Sequence, residues 1–367
     1  MVKRIIISGG GTGGHIFPAI AIANALRQID ARTEILFVGA LGKMEMTKVP
    51  AAGYQIIGLD IKGFQRQEML KNLWLPFKII KSVLQSLTII RNFKPDVVVG
   101  VGGYASGPLL YAASLKNVPI LIQEQNSYAG ITNKYLGKKA AKICVAFDGM
   151  SQFFPADKII KTGNPIRQQS VAIEGKREEA LSFFGLSPMK KTILLTGGSL
   201  GAATLNNSII AGLNQLKAKH IQLIWQTGKY YYKDIAERFG QSTKDNGIKI
   251  NEFLNRMDLA YAAADVIISR AGAGTIAELC AVKKPVILIP SPNVTDDHQT
   301  KNAKALIENN CAILVADKHA EAEMVDVAIK LLSDEEAMAT LSKNIGKLAM
   351  PNADIQIAKE VFKLANK

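Results

Sequence analysis

Two glycine-rich turns are the first places in this sequence where chemistry could be done: "SGGGTGGH" at 8–15 and "TGGSLGA" at 196–202. Each follows a strand-like apolar run and leads into a helical stretch. Glycines let backbone N–H groups approach a ligand closely, and the helix N-terminus behind them favours an anion. One of the two turns could therefore hold a diphosphate, and Ser199 adds a hydroxyl to the second. Gly9, Gly11 and Gly14 also fit the spacing of a dinucleotide site. Such a site needs an acidic residue near the end of the second strand, about 20 residues on, to hold the ribose. Here that strand ends "LFVGALGK" with no carboxylate at its tip, while Asp30 and Glu34 stand at its other end. Neither turn closes with the Lys-Ser/Thr pair of a nucleoside-triphosphatase loop.

His15 sits at the mouth of the first turn. A histidine at a helix start commonly just bonds nearby backbone, but the carboxyl end of a strand is where ligands bind, which makes His15 a candidate general base. The helix N-terminus disfavours imidazolium and so favours the form that accepts a proton. Three more loops follow strands in the same way: "GGYASGP" (102–108), "QEQNSYAG" (123–130) and "SRAGAGTIAEL" (269–279). Each alone is explained as a tight turn; together they open on one edge.

The elements that must position these loops form two similar series. Strand candidates "RIIISG", "TEILFVG", "YQIIGL", "DVVVGVGG", "VPILIQEQ" and "AKICVAF" alternate with helical stretches. The pattern restarts with "KTILLTGG", followed by "IQLIWQTG", "IKINEF", "ADVIISRAG" and "KPVILIPS". This predicts an α/β fold of two Rossmann-like domains with parallel sheets covered on both faces. The join is expected near "TGNPIRQQ", giving domains 1–164 and 165–350. Residues 351–367 carry helical spacing at Ile355, Ala358, Val361 and Phe362 and could pack on either domain.

A chain of 367 residues with 48% apolar content is long enough for two cores. Cys144, Cys280 and Cys311 are widely spaced, which indicates neither a disulfide framework nor a zinc knuckle. The start "MVKRIIISGG" is too short for a signal-peptide core, so a cytoplasmic protein is expected. The uncharged run Val97–Leu115 is broken by glycines and a proline and predicts strand, loop and helix, not a membrane span. Of the net charge of +14, residues 1–164 carry +11, so the first half should meet any anionic surface.

With these motifs assembled, the chain resembles the MurG family of bacterial cell-wall glycosyltransferases. The resemblance rests on GGTGGH (10–15), GGYASGP, EQN (124–126), GNPIR (163–167), GGSLGA (197–202) and RAGAGTIAE (270–278), in order along the chain. It implies two Rossmann-like domains facing across a cleft, the glycosyltransferase-B type. It implies transfer of N-acetylglucosamine from UDP-N-acetylglucosamine to the 4-hydroxyl of undecaprenyl-diphospho-N-acetylmuramoyl pentapeptide, with inversion. Uracil would lie near Leu254 and the ribose hydroxyls on Glu278. Arg167 and Ser199 would face the diphosphate, with the backbone of Gly272, Ala273, Gly274, Thr275, Ile276 and Ala277 around it. Thr12, Gly13, Gly14 and Asn126 would complete the donor site, and Gln299 would meet the sugar hydroxyls. One departure is His298, where the family commonly has a second glutamine beside Gln299. His15 is the expected base, with Glu124 of the "EQN" loop next in line. No Asp-x-Asp motif occurs, so no metal or other cofactor is expected; Asp296 and Asp297 are expected to form a solvated loop. A UDP-N-acetylglucosamine epimerase of similar fold and a non-enzymatic basic binding protein are the competing assignments.

Residues 62–94 contain seven basic residues and one acidic residue, Glu68. Phe77, Ile80, Leu84 and Leu87 keep helical spacing and are expected in the core. Met69, Leu70, Leu73, Trp74 and Leu75 are expected before the helix, in excess of what that stripe can bury. With Lys71, Lys78 and Lys81 they suit an anionic membrane surface on the cytoplasmic face, held peripherally. No nucleic-acid module is recognisable, and nucleic acid is not an expected partner.

Overall fold

The computed structural model describes residues 2–61, 75–243 and 246–366. The chain divides into two compact units: Met1–Ile166 with Met350–Lys367, and Arg167–Ala349.

The sheet of unit 1 comprises β1 (Arg4–Gly9), β2 (Glu34–Ala40), β3 (Gln55–Leu59), β4 (Val97–Gly102), β5 (Ile120–Glu124), β6 (Lys142–Val145) and β7 (Ile159–Lys161). They pair in the order β3-β2-β1-β4-β5-β6-β7, and every pairing is parallel. The central strands are β-branched and buried along their length, as a sheet covered on both faces requires. Ile5 and Ile7 pair with Val97 and Val99 and share one core with the C-terminal helix Ala353–Ala365. Ile6 and Val98 point to the other face, towards Leu109 and Leu110 of helix Ser106–Leu115. Residues 351–367 thus complete unit 1, through Ile357, Ala358 and Val361.

Unit 2 repeats the scheme with β8 (Thr192–Thr196), β9 (Gln222–Gln226), β10 (Ile248–Asn251), β11 (Val266–Ser269), β12 (Val286–Leu288) and β13 (Ile313–Leu314), in the order β10-β9-β8-β11-β12-β13, again parallel. The sequence pattern misses only β7 and β13, edge strands of three and two residues, too short to show a period. In each unit strand order reverses beside the first strand, between β1 and β4 and between β8 and β11. Ligands of open parallel sheets bind outside the carboxyl ends at such switch points. GGTGGH and GGYASGP leave β1 and β4; GGSLGA and RAGAGT leave β8 and β11.

The expected core stripe of the helix Leu75–Phe93 is corrected. Phe77, Ile80 and Leu84 are 66%, 59% and 60% exposed, and the helix is anchored instead by Ile89 and Ile90, with Leu87 packed against the core from its margin. The buried face falls on another stripe, occupied in part by Ser82 and Ser86, whose small side chains allow close packing. Leu75 opens this helix rather than preceding it. Met69, Leu70, Lys71, Leu73 and Trp74 lie outside the described residues.

Candidate active-site residues in the two units

In unit 1 the two glycine turns touch. Gly10 N–H donates to Gly102 O at 3.2 Å, and a Cβ on Gly103 would stand 2.4 Å from the Gly10 oxygen. Gly102 and Gly103 have φ of +107° and +95°, where glycine alone is unstrained. The ring of His15 lies over Gly102, whose Cβ would come within 2.7 Å of Nε2. His15 Nδ1 lies 3.0 Å from Gly10 O. A carbonyl only accepts, so Nδ1 carries the proton and Nε2 is the basic nitrogen. The backbone bond of an ordinary helix-start histidine is therefore present, and it is the bond that sets the tautomer a general base needs. Thr12 caps the helix Gly13–Ile29 through its backbone only, with Oγ1 at 3.5 Å from His15 Nδ1, and Gly13 and Gly14 open its first turn.

The second strand carries no carboxylate of its own at its tip, but Glu45, at the start of the helix Glu45–Ala51, reaches back to it. Glu45 is 1% exposed, and its two oxygens accept from Gly11 N–H at 2.8 Å and Ala40 N–H at 3.0 Å. The missed signal was the glycine pair that makes room for it: a Cβ on Gly10 or Gly39 would collide with Glu45, at 2.2 and 2.6 Å. Glu45 thus takes up an N–H of the first turn that a ligand phosphate would otherwise use. The second turn is left as the stronger diphosphate candidate.

Glu124, at the end of β5, is 2% exposed and accepts from Asn126 N–H, Asn126 Nδ2, Gly130 N–H and Asn133 Nδ2 at 2.8–3.4 Å. Both of its carboxylate oxygens are thus engaged by donors of the chain's own loop and by the helix that follows it. Glu124 therefore shapes the loop that presents Asn126, and His15 stands as the base candidate.

In unit 2, Gln226 is 3% exposed and bonds to three groups on two segments: it donates to Thr196 Oγ1 and Gly198 O and accepts from Leu254 N–H at 3.0 Å. It ties the GGSLGA turn, with exposed Ser199, to the segment carrying Leu254. The turn also interlocks with the "QTGK" loop, where a Cβ on Gly228 would lie 2.0 Å from Gly201 N. Sequence patterns missed Gln226 and Gly228, which hold these loops together.

After β11, Gly272 caps the helix Ala273–Val282, which begins the Gly272–Ala277 segment and carries Glu278. Burial raises the carboxyl of Glu278 above its ordinary range, opposed by Arg167 and by the hydroxyl of Tyr261, which donates to it at 3.1 Å. Arg167 itself is exposed. Gln299 Oε1 accepts from Ala271 and Ser291 N–H groups, so its carbonyl joins two loops and its amide NH2 remains the donor end. Arg270 pairs with Asp317, which also accepts from Thr204 Oγ1, and so fastens the RAGAGT segment to the helix Ala203–Ala218 behind the second turn. Asp296 and Asp297 are exposed with φ near +50°, and Asp297 accepts from Thr300 Oγ1. Among the described residues no three His, Cys, Asp or Glu side chains gather as a metal site.

Residues 5–145 match the glycosyltransferase family 28 N-terminal domain and residues 192–357 its C-terminal domain. The chain is 55% identical, over 99% of both lengths, to the UDP-N-acetylglucosamine--N-acetylmuramyl-(pentapeptide) pyrophosphoryl-undecaprenol N-acetylglucosamine transferase of Parabacteroides distasonis. It belongs to the MurG family of glycosyltransferase family 28. The crystal structure of Acinetobacter baumannii MurG superimposes with a TM-score of 0.81 at 29% identity, covering 98% of this chain and 99% of that one. A UDP-N-acetylglucosamine 2-epimerase, 15% identical with a TM-score of 0.64 and covering 100% and 97% of the two chains, shares the fold alone. As a MurG-family protein, the chain has two parallel-sheet α/β units of the glycosyltransferase-B kind.

Glu278 gives a test of the site's electrostatics. Between the ordinary and the raised pKa the native state holds a proton that the unfolded chain does not, so stability falls as pH rises through that window. At neutral pH, Glu278→Gln should therefore raise the Tm, since it removes the desolvated charge and keeps an acceptor for the buried Tyr261 hydroxyl. Thermal melts in which the variant gains nothing, or loses stability, would contradict this.

Proposed function

We propose that unit 2 binds the donor and that unit 1 carries the base and meets the lipid acceptor. The protein is a hexosyltransferase that moves N-acetylglucosamine from UDP-N-acetylglucosamine to the undecaprenyl-linked muramoyl pentapeptide, converting lipid I to lipid II in peptidoglycan synthesis. The observation that carries this is 55% identity, over 99% of both chains, to a relative named for that reaction. The epimerase alternative has only the fold in its favour. Given the donor alone, the protein should form no epimer; given the lipid-linked acceptor as well, it should release UDP and form the disaccharide. Epimer formed without acceptor would reverse the assignment.

In the reaction the 4-hydroxyl of the muramoyl unit attacks the anomeric carbon, the bond to UDP breaks, and an α link becomes a β link. The hydroxyl's proton goes to His15 Nε2, the nitrogen left basic by the Gly10 bond. Arg167, Ser199 and the N-terminal turn of helix Ala273–Val282 meet the charge growing on the diphosphate. Leu254 takes the uracil, Glu278 the ribose hydroxyls, and the Gln299 amide the sugar. Thr12, Gly13, Gly14 and Asn126 contribute from unit 1. The Glu278→Gln protein should accordingly bind UDP more weakly. His15→Ala should lower kcat by roughly 100-fold or more with donor affinity little changed. Near-normal turnover would place the base elsewhere.

No helix among the described residues is long and apolar enough to cross a membrane. Attachment to the cytoplasmic membrane face is assigned to helix Leu75–Phe93, whose exposed Phe77, Ile80 and Leu84 stand beside exposed Lys81 and beside Lys78, paired with Asp60 at 3.0 Å. Roles in cell shape and division follow from peptidoglycan synthesis, and no role is assigned to nucleic acid. Replacing Phe77, Ile80 and Leu84 by Ser should reduce binding to anionic vesicles in flotation assays without changing UDP affinity. Equal binding by variant and wild type would remove the helix from the membrane contact.

A further inference from the structure

We propose that Glu45 acts on His15 through the single peptide group between Gly10 and Gly11, holding the imidazole in place and strengthening it as a proton acceptor. The two hydrogen bonds are made by opposite ends of one amide. Gly11 N–H donates to Glu45 Oε2 at 2.8 Å, and Gly10 C=O accepts from His15 Nδ1 at 3.0 Å. A negative charge at the N–H end draws the amide dipole towards itself and makes the carbonyl oxygen a better acceptor, since hydrogen bonds in series polarise one another. The Nδ1–H bond is thereby strengthened, the ring is fixed with Nε2 basic, and the positive charge that appears when Nε2 takes a proton is offset. No proton travels along the chain of bonds; the effect is electrostatic and orientational.

Burial makes this more than an incidental contact. Glu45 is 1% exposed and has no ion pair among the described residues, so its charge is compensated by backbone N–H groups alone. A buried carboxylate without a cation is costly compared with an apolar side chain of like size. Two glycines, Gly10 and Gly39, leave the space it fills. The carboxylate is thus a positioning residue that touches no substrate, as an outer partner commonly orients a working histidine, here with a peptide interposed.

The inference rests on His15 being the base, and the experiment separates the two. In the wild-type protein labelled with 15N-histidine, two-bond proton–nitrogen spectra should show His15, assigned by its loss in His15→Ala, as the Nδ1–H tautomer; an Nε2–H tautomer overturns the relay. In steady-state kinetics with donor and lipid-linked acceptor, Glu45→Gln should lower kcat by roughly 10- to 100-fold, leaving the donor KM within about twofold. In a His15→Ala background the same change should cost nothing more, because its route to the reaction is already gone. Independent losses in the double variant, or normal kcat in Glu45→Gln, refute the relay and leave His15 as base. Near-normal turnover of His15→Ala refutes both. Should Glu45→Gln not fold, Glu45→Asp, which withdraws the charge by one methylene, enters the same cycle and is judged by the same outcomes.

Discussion

Close approach of backbone to backbone, possible only between glycines, is the constraint on which both units depend. In unit 1 Gly10 lies against Gly102 and Gly103; in unit 2 Gly201 lies against Gly228. A single methyl group at any of these contacts would push two strand ends apart. Because the turns touch, a peptide group can serve as a structural part, and the Nδ1 of His15 is held by main chain at Gly10. The ligand-side edge is built chiefly from amides, whose directions are fixed by the sheets behind them.

The two units also share a device at the opposite edge. Asp96, just before β4, accepts from the N–H of Arg4 at the start of β1, and Asp265, just before β11, accepts from the N–H of Thr192 at the start of β8. Both bonds are 2.7 Å, and each locks the two strands flanking a switch point. The units diverge at the other edge: in unit 1 a side chain of the protein, Glu45, occupies its own glycine turn, while the GGSLGA turn of unit 2 is shaped by the amide of Gln226. A common scaffold thus supports a turn partly held by a buried carboxylate in one unit and a turn held by a buried amide in the other.

Most of the fold was legible because parallel strands buried on both faces are continuous apolar runs, and "RIIISG" and "VVVGVG" declare themselves as such. The short edge strands β7 and β13 have too few residues to do so. The loops bearing His15, Ser199 and Glu278 were legible because glycine turns after strands mark the ligand edge. What could not be seen was reach across the sheet. Glu45 follows its strand by five residues and looks like an ordinary start of a short helix, Glu45–Ala51, until folding brings it beneath Gly10. Spacing also misjudged Phe77, Ile80 and Leu84, since periodicity identifies a stripe without saying which side of the helix the core will take.

The C-terminal helix has a consequence for how the protein comes into being. Its Ile357 and Val361 cover strands made first, Ile5 and Ile7 among them, yet the whole of unit 2 is synthesised in between. At ribosomal speeds that interval is roughly 10 to 40 seconds, during which one face of the first sheet has the helix Gly13–Ile29 but lacks the helix that completes its cover. Unit 2 can close as a continuous piece of chain while unit 1 waits for the last residues. The order of completion is therefore the reverse of the order of synthesis, and the unit that begins the chain is finished after the unit inserted within it.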